Sequence, residues 1–148
     1  MSSISDGVLF ETFRAVGSAF LREAHVDLTF DAKFNENREY WNGLTQGLTL
    51  STFCHLVETE YGNKDNFRSQ LKIAIHKEIL DILFYIRNSF IHCNWDISKL
   101  NFKNQEEKIR NFVINNPYLD SSFDLQVEDN IVKCNNYEPI CRMLLNDV

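Results

Sequence analysis

The chain has 148 residues, 44% of them hydrophobic and twelve of them Phe, which suits one packed domain and excludes a disordered chain. Five Gly and two Pro are few for a turn-punctuated all-β architecture, so an all-α fold is expected. The formal net charge of −6 excludes nucleic-acid binding by bulk charge alone, yet residues 64–110 hold nine Lys/Arg against six Asp/Glu, and the remainder six against fifteen.

In chain order, residues 3–24 are predicted to form a helix, capped by Ser5 or Asp6, with Val8, Leu9, Phe13, Val16, Phe20 and Leu21 at helical spacing. Residues 28–37 are less periodic and read as a connection or short helix. A second helix is expected over 38–60. Trp41, Leu44, Leu48, Phe53, Leu56 and Val57 supply its apolar surface, Gly43 and Gly47 weaken it, and Tyr61-Gly62-Asn63 stops it. Residues 64–93 carry the strongest helical pattern, opened by Asp65 or Asn66. A loop over 94–98 follows, then a helix over 104–115 that ends before Pro117. Alternation over 123–127 and 131–133 around Glu128-Asp129-Asn130 predicts a small β-hairpin, and a short helix over about 137–146 closes the chain. The expected organisation is one domain: a helical core over about 3–115 and a C-terminal appendage over about 118–148.

The helix from Leu71 to His92 sorts into arcs at about 100° per residue. Ile75, Ile79, Ile82, Leu83, Ile86 and Phe90 share one face; Leu80, Phe84 and Ile91 form a second apolar group nearly opposite. Between them runs a polar stripe of Glu78, Asp81, Tyr85, Asn88 and His92, with Arg87 on the far flank of the second group. Two apolar faces place a helix at the centre of its domain, or half in the core and half in a subunit interface. The stripe then lines a groove or a dimer seam; the competing reading is a solvated face with His92 at a favourable helix C-terminus.

Asn88 and His92 are four residues apart and share a face. Arg87 lies about 140° around the helix from His92, so the two meet only if the helix ends or distorts near Ile91, or if two copies face each other. Such a set suits RNA cleavage without a metal, because the RNA 2′-hydroxyl supplies the nucleophile. Imidazole moves protons near neutral pH, guanidinium stabilises charge on phosphate oxygens, and Asn88 could orient either. An Arg and a His at this spacing are in themselves common.

In its setting, at the end of an apolar helix in a small helical domain, Arg87-Asn88-Ser89-Phe90-Ile91-His92 resembles the Arg-x(4–6)-His signature of the HEPN superfamily, and in particular a plasmid-associated bacterial subfamily. By motif the resemblance covers these six residues, and by helix order residues 5–115. It implies a helical bundle that forms a homodimer with two motifs in one cleft. It further implies metal-independent endoribonuclease activity leaving a 2′,3′-cyclic phosphate, in toxin–antitoxin or antiviral systems, with an antitoxin or other regulator as partner. Arg87 and His92 inherit the catalytic assignment and Asn88 a supporting one; Asp81, Glu78 and Tyr85 join as supporting residues from the stripe alone. The alternative within the same resemblance is a non-catalytic module that binds nucleotide or RNA; outside it stands an unrelated helical interaction protein.

No cofactor or metal is expected. His25, His55, His76 and His92 form no His-Glu-x-x-His, and neither a Gly-x-Gly-x-x-Gly nor a Walker-type loop occurs. Cys54, Cys93, Cys134 and Cys141 include no Cys-x-x-Cys pair and read as free thiols of a reducing cytoplasm. No secretory leader or membrane span is expected. Glu58 and Glu60 read as a solvated helix end, and Trp41 and Trp95 as packing residues, although Trp95 could reach substrate.

Overall fold

In a computed structural model, residues 38–115 and 123–148 are described. The helix expected over 3–24 and the connection over 28–37 lie outside the described residues, as does the side chain of Trp41. The elements are α1 (Arg38–Glu60), α2 (Lys64–Gln70), α3 (Ala74–Cys93), a 3₁₀ turn (Ile97–Lys99), α4 (Lys103–Asn115), β1 (Gln126–Glu128), β2 (Ile131–Lys133) and α5 (Glu138–Asn146). The fold is all-α with a small C-terminal hairpin. Among the described residues no helix is long and apolar enough to cross a membrane.

The strong helical pattern over 64–93 divides in two. Asn63 rather than Asp65 or Asn66 caps α2, its Oδ1 accepting the N–H of Asn66 at 2.7 Å. The chain turns extended at Leu71 and restarts at Ala74, and Ile73 at the N-cap supplies no side-chain bond. A distant residue does so instead. Asp147 Oδ2 accepts the backbone N–H of Lys72 at 2.9 Å and of Ile73 at 3.1 Å, and lies 2.9 Å from His76 Nδ1. A carboxylate at a helix N-terminus satisfies orphan donors and complements the dipole, and no local spacing reveals it.

Both apolar groups of α3 are covered within the single chain. Ile79, Ile82, Leu83 and Ile86 are buried on one side, and Leu80 and Phe84 on the other; only Ile91 of the second group is exposed, at 52%. The helix is thus central over most of its length, packed against α1 and α4. Of the two glycines of α1, Gly47 has a packing role. A Cβ at Gly43 would stand 3.4 Å from Trp95 Nε1, and one at Gly47 would overlap the Phe90 ring. Gly47 therefore lets α1 approach the motif-bearing end of α3.

The C-terminal segment, expected as an appendage, belongs to the core. Phe123, Leu125, Val132, Ile140, Cys141, Leu144 and Leu145 are buried in the same cluster as α1 and α3. Gln46 on α1 accepts the backbone N–H of Tyr137 at 2.8 Å. Positive φ angles at Asp129 (50°) and Asn130 (70°) make the tight hairpin turn, which pairs Val127 with Val132.

Gly47→Ala is expected to lower stability by about 1 kcal/mol. Overpacking against Phe90 costs roughly 1–3 kcal/mol and outweighs a helix-propensity gain of about 1 kcal/mol; a denaturant midpoint at or above wild type would contradict this packing.

Burial by itself would raise the Asp147 pKa, but the Ile73 N–H, the His76 ring and the Lys72 N–H together hold it below the ordinary carboxylate value. Its stabilising contribution is therefore present above the unfolded-state pKa and is lost as pH falls through the lower folded value. Asp147→Ala is expected to cost about 1–2 kcal/mol at neutral pH, and the deficit relative to wild type should shrink in acid titrations of unfolding.

Candidate active site at the end of the central helix

Helix α3 stays regular through Cys93, so the break near Ile91 that would bring Arg87 and His92 together does not occur. Its end is set by two left-handed residues, Asn94 (φ 50°) and Trp95 (φ 71°), and the Trp95 N–H donates to Ser89 O at 3.0 Å. Asn adopts this geometry readily, whereas Trp does so at a cost. Packing holds it: the Trp95 ring lies 4.7 Å from Phe90 and 6.3 Å from Tyr137, and its carbonyl accepts the Val132 N–H at 3.1 Å. Trp95 is a packing residue that ties the hairpin to the turn after the motif.

Arg87 is held on three sides. Its guanidinium lies 5.2 Å over the Phe84 ring, Nε donates to Asn88 Oδ1 at 3.2 Å, and Nη2 reaches Glu58 Oε1 at 3.4 Å. Asn88 Nδ2 in turn donates to Gln105 Oε1 on α4 at 3.5 Å. Glu58, Arg87, Asn88 and Gln105 form one chain of polar contacts from α1 across α3 to α4. His92 stands exposed in the last turn of α3, on the other side of the helix from Arg87.

The rest of the stripe faces the groove between α3 and α4. Glu78, Asp81, Ile82 and Tyr85 line a recess of about 320 Å³ with Arg68 of α2 and with Lys108 and Asn111 of α4. Asp81 does not point to the Arg–His pair: its oxygens take Lys64 Nζ at 3.0 Å and Arg68 Nε at 3.2 Å, fastening α2 to α3. Glu78 is exposed at the far end from His92. The Tyr85 ring has the Lys64 ammonium at 5.4 Å and the Lys108 ammonium at 5.7 Å. The chain thus joins Arg87 with Asn88 and gathers Glu78, Asp81 and Tyr85 elsewhere along the groove.

Two residues of the polar chain escape the sequence reading. Glu58 reads as a solvated helix end, and nothing local shows that the end of α1 meets Arg87. Gln105 has a usable signal, since Gln105, Lys108 and Asn111 recur at three-residue spacing on the amphipathic α4.

Among the described residues no three His, Cys, Asp or Glu side chains are grouped to hold a metal ion. The cysteines are free, and Cys54, Cys134 and Cys141 are buried while Cys93 is half-buried. Burial pushes the Cys54 and Cys134 thiols up to about 12 and raises Cys141 as well, so none of these three supplies a thiolate nucleophile at neutral pH. No family model matches this chain, and no curated protein or solved structure gives a significant match.

Native protein treated with iodoacetamide is expected to label at Cys93 first, with Cys54, Cys134 and Cys141 reacting only on unfolding. Rapid modification of Cys54 under native conditions, read by peptide mass spectrometry, would contradict the buried-thiol assignment.

Proposed function

We propose that the protein is a metal-independent endoribonuclease of HEPN type, acting as a homodimer in which the end of α3 from each copy contributes to one cleft. The observation that carries this reading is the Arg87-Asn88-Ser89-Phe90-Ile91-His92 segment closing a central helix, with His92 in solvent and Arg87 held by Phe84, Asn88 and Glu58. Within one protomer Arg87 and His92 lie on different sides of a regular helix, so a second copy is what brings an imidazole to a guanidinium. Ile91, next to His92 and 52% exposed, offers apolar surface for that contact.

The chemistry needs no further group. His92 of one copy takes the proton of an RNA 2′-hydroxyl, whose oxygen attacks the adjacent phosphorus. Arg87 stabilises the charge that builds on the phosphate oxygens. The bond from phosphorus to the 5′-oxygen breaks, a second imidazole returns a proton to that oxygen, and a 2′,3′-cyclic phosphate and a 5′-hydroxyl result. Glu58 is well placed to hold Arg87 before RNA arrives. An ion pair this open to solvent contributes at most about 1 kcal/mol, so a phosphate can displace it. Such an enzyme fits a cytoplasmic role in toxin–antitoxin or antiviral systems, with an antitoxin or other regulator restraining it.

Purified protein is expected to cut RNA in excess EDTA, and His92→Ala and Arg87→Ala are each expected to reduce cleavage at least about 100-fold while sedimentation still shows a dimer. Unchanged cleavage in both variants would overturn the nuclease assignment. A monomer that cleaves would overturn the shared cleft. RNA binding without cleavage by the wild type would favour a non-catalytic HEPN module.

A further inference from the structure

The groove between α3 and α4 does more than flank the motif. Gln105, Lys108 and Asn111 rise along α4 as Asn88, Tyr85 and Asp81 descend along α3, so the two helices run antiparallel with polar side chains facing each other. The recess at Tyr85 begins seven residues before His92, about 10 Å along the helix axis. Tyr85 and His92 lie only about 20° apart around the helix, so the recess and the proposed cleavage site are on one face of α3.

The recess lining sets Arg68 and Lys108 against Glu78 and Asp81, and Lys64 adds a third cation beside it. Lys64, Arg68 and Lys108 are gathered about Tyr85 and Asp81, two of them sharing the Asp81 carboxylate and two standing over the Tyr85 ring. Lys64, beside the lining on the other oxygen of Asp81, is thus the one cation in surplus, in a chain whose formal net charge is −6. Cations held together repel one another, and an anion entering among them relieves that repulsion. Asp81 engages one N–H of Lys64 and one of Arg68, and these groups carry further donors suited to phosphate oxygens. Asn111 adds a neutral donor to the lining.

We propose that this recess binds a backbone phosphate of the same RNA strand that Arg87 and His92 cut, holding the strand along the α3–α4 groove; the proposal rests on the nuclease reading above. Lys108 is the residue to test. It is exposed, so its replacement leaves the core intact.

Binding of a single-stranded, fully 2′-O-methylated RNA oligonucleotide, which lacks the attacking hydroxyl, is measured by fluorescence anisotropy across salt concentrations. Lys108→Glu is expected to weaken binding at least threefold. Lys108→Ala should flatten the slope of log affinity against log salt by about 0.7, the value for one lost contact with a single strand. Lys133→Glu on β2, which makes the same charge change away from the recess, should stay near wild type. Equal affinity and slope in wild type and both Lys108 variants, or an equal loss in Lys133→Glu, overturns the recess as a phosphate site. Cleavage of unmodified RNA is assayed alongside. A wild type that cuts RNA while Lys108 has no effect retains the nuclease and loses the recess. A wild type that binds RNA without cutting it, and loses binding in Lys108→Glu, retains the recess as an RNA site and loses the nuclease. A wild type that does not bind RNA overturns both.

Discussion

Helix α3 is buried on two opposite sides, and that burial decides where every polar group on it can go. Ile79, Ile82, Leu83 and Ile86 fill one side of the core, and Leu80 and Phe84 the other. Fully burying one such side chain is worth roughly 1.5–3 kcal/mol, far more than any of the exposed ion pairs, so apolar packing sets the rotation of the helix. The polar stripe then meets α2 through Asp81 and α4 through Asn88, and His92 ends it in solvent. Arg87 runs another way, over the edge of Phe84 toward the end of α1. The separation of Arg87 from His92 follows from their five-residue spacing, because α3 stays regular to Cys93.

Several devices protect that arrangement. Gly47 lets Phe90 lie against the backbone of α1, which seats the last turns of α3. Trp95, in a left-handed conformation unusual for its type, stacks near Tyr137 and accepts a hydrogen bond from the hairpin. Asp147 caps the opposite end of α3. The C-terminal segment therefore fixes both ends of the central helix, the hairpin at one and Asp147 at the other. This gives the segment a structural role in presenting Arg87 and His92.

Electrostatics along α3 divide into two territories. Around Arg87, one carboxylate and one amide hold the guanidinium, and Gln105 in turn holds that amide. Around Tyr85, Lys64 and Arg68 share the Asp81 carboxylate, and Lys64 and Lys108 stand over the ring. Both lie within the stretch over 64–110, whose positive surplus is only three charges. Modest composition becomes a local field because α2 and α4 bring Lys64, Arg68 and Lys108 against Asp81 and Tyr85 of α3. Charge counted along the chain understates charge gathered in space.

Period and composition were enough for the helices over 38–60 and 104–115, for the hairpin and for the closing helix, because each buries a face whose spacing is local. The break at Leu71–Ile73 was not legible, since the group that accepts its N–H groups, Asp147, sits more than seventy residues away. The stripe Glu78, Asp81, Tyr85, Asn88 and His92 was legible as a stripe, but the fates of its members were not. Asp81 goes to Lys64 and Arg68, Tyr85 sits between two lysines, and Asn88 goes to Gln105. The motif segment and its place at the end of an apolar helix were determined by sequence alone, because adjacency along a helix is fixed by 3.6 residues per turn. The partners of Arg87, the covering of both apolar faces and the gathering of cations beside the motif were decided only by tertiary structure, because contacts between helices depend on how distant faces pack.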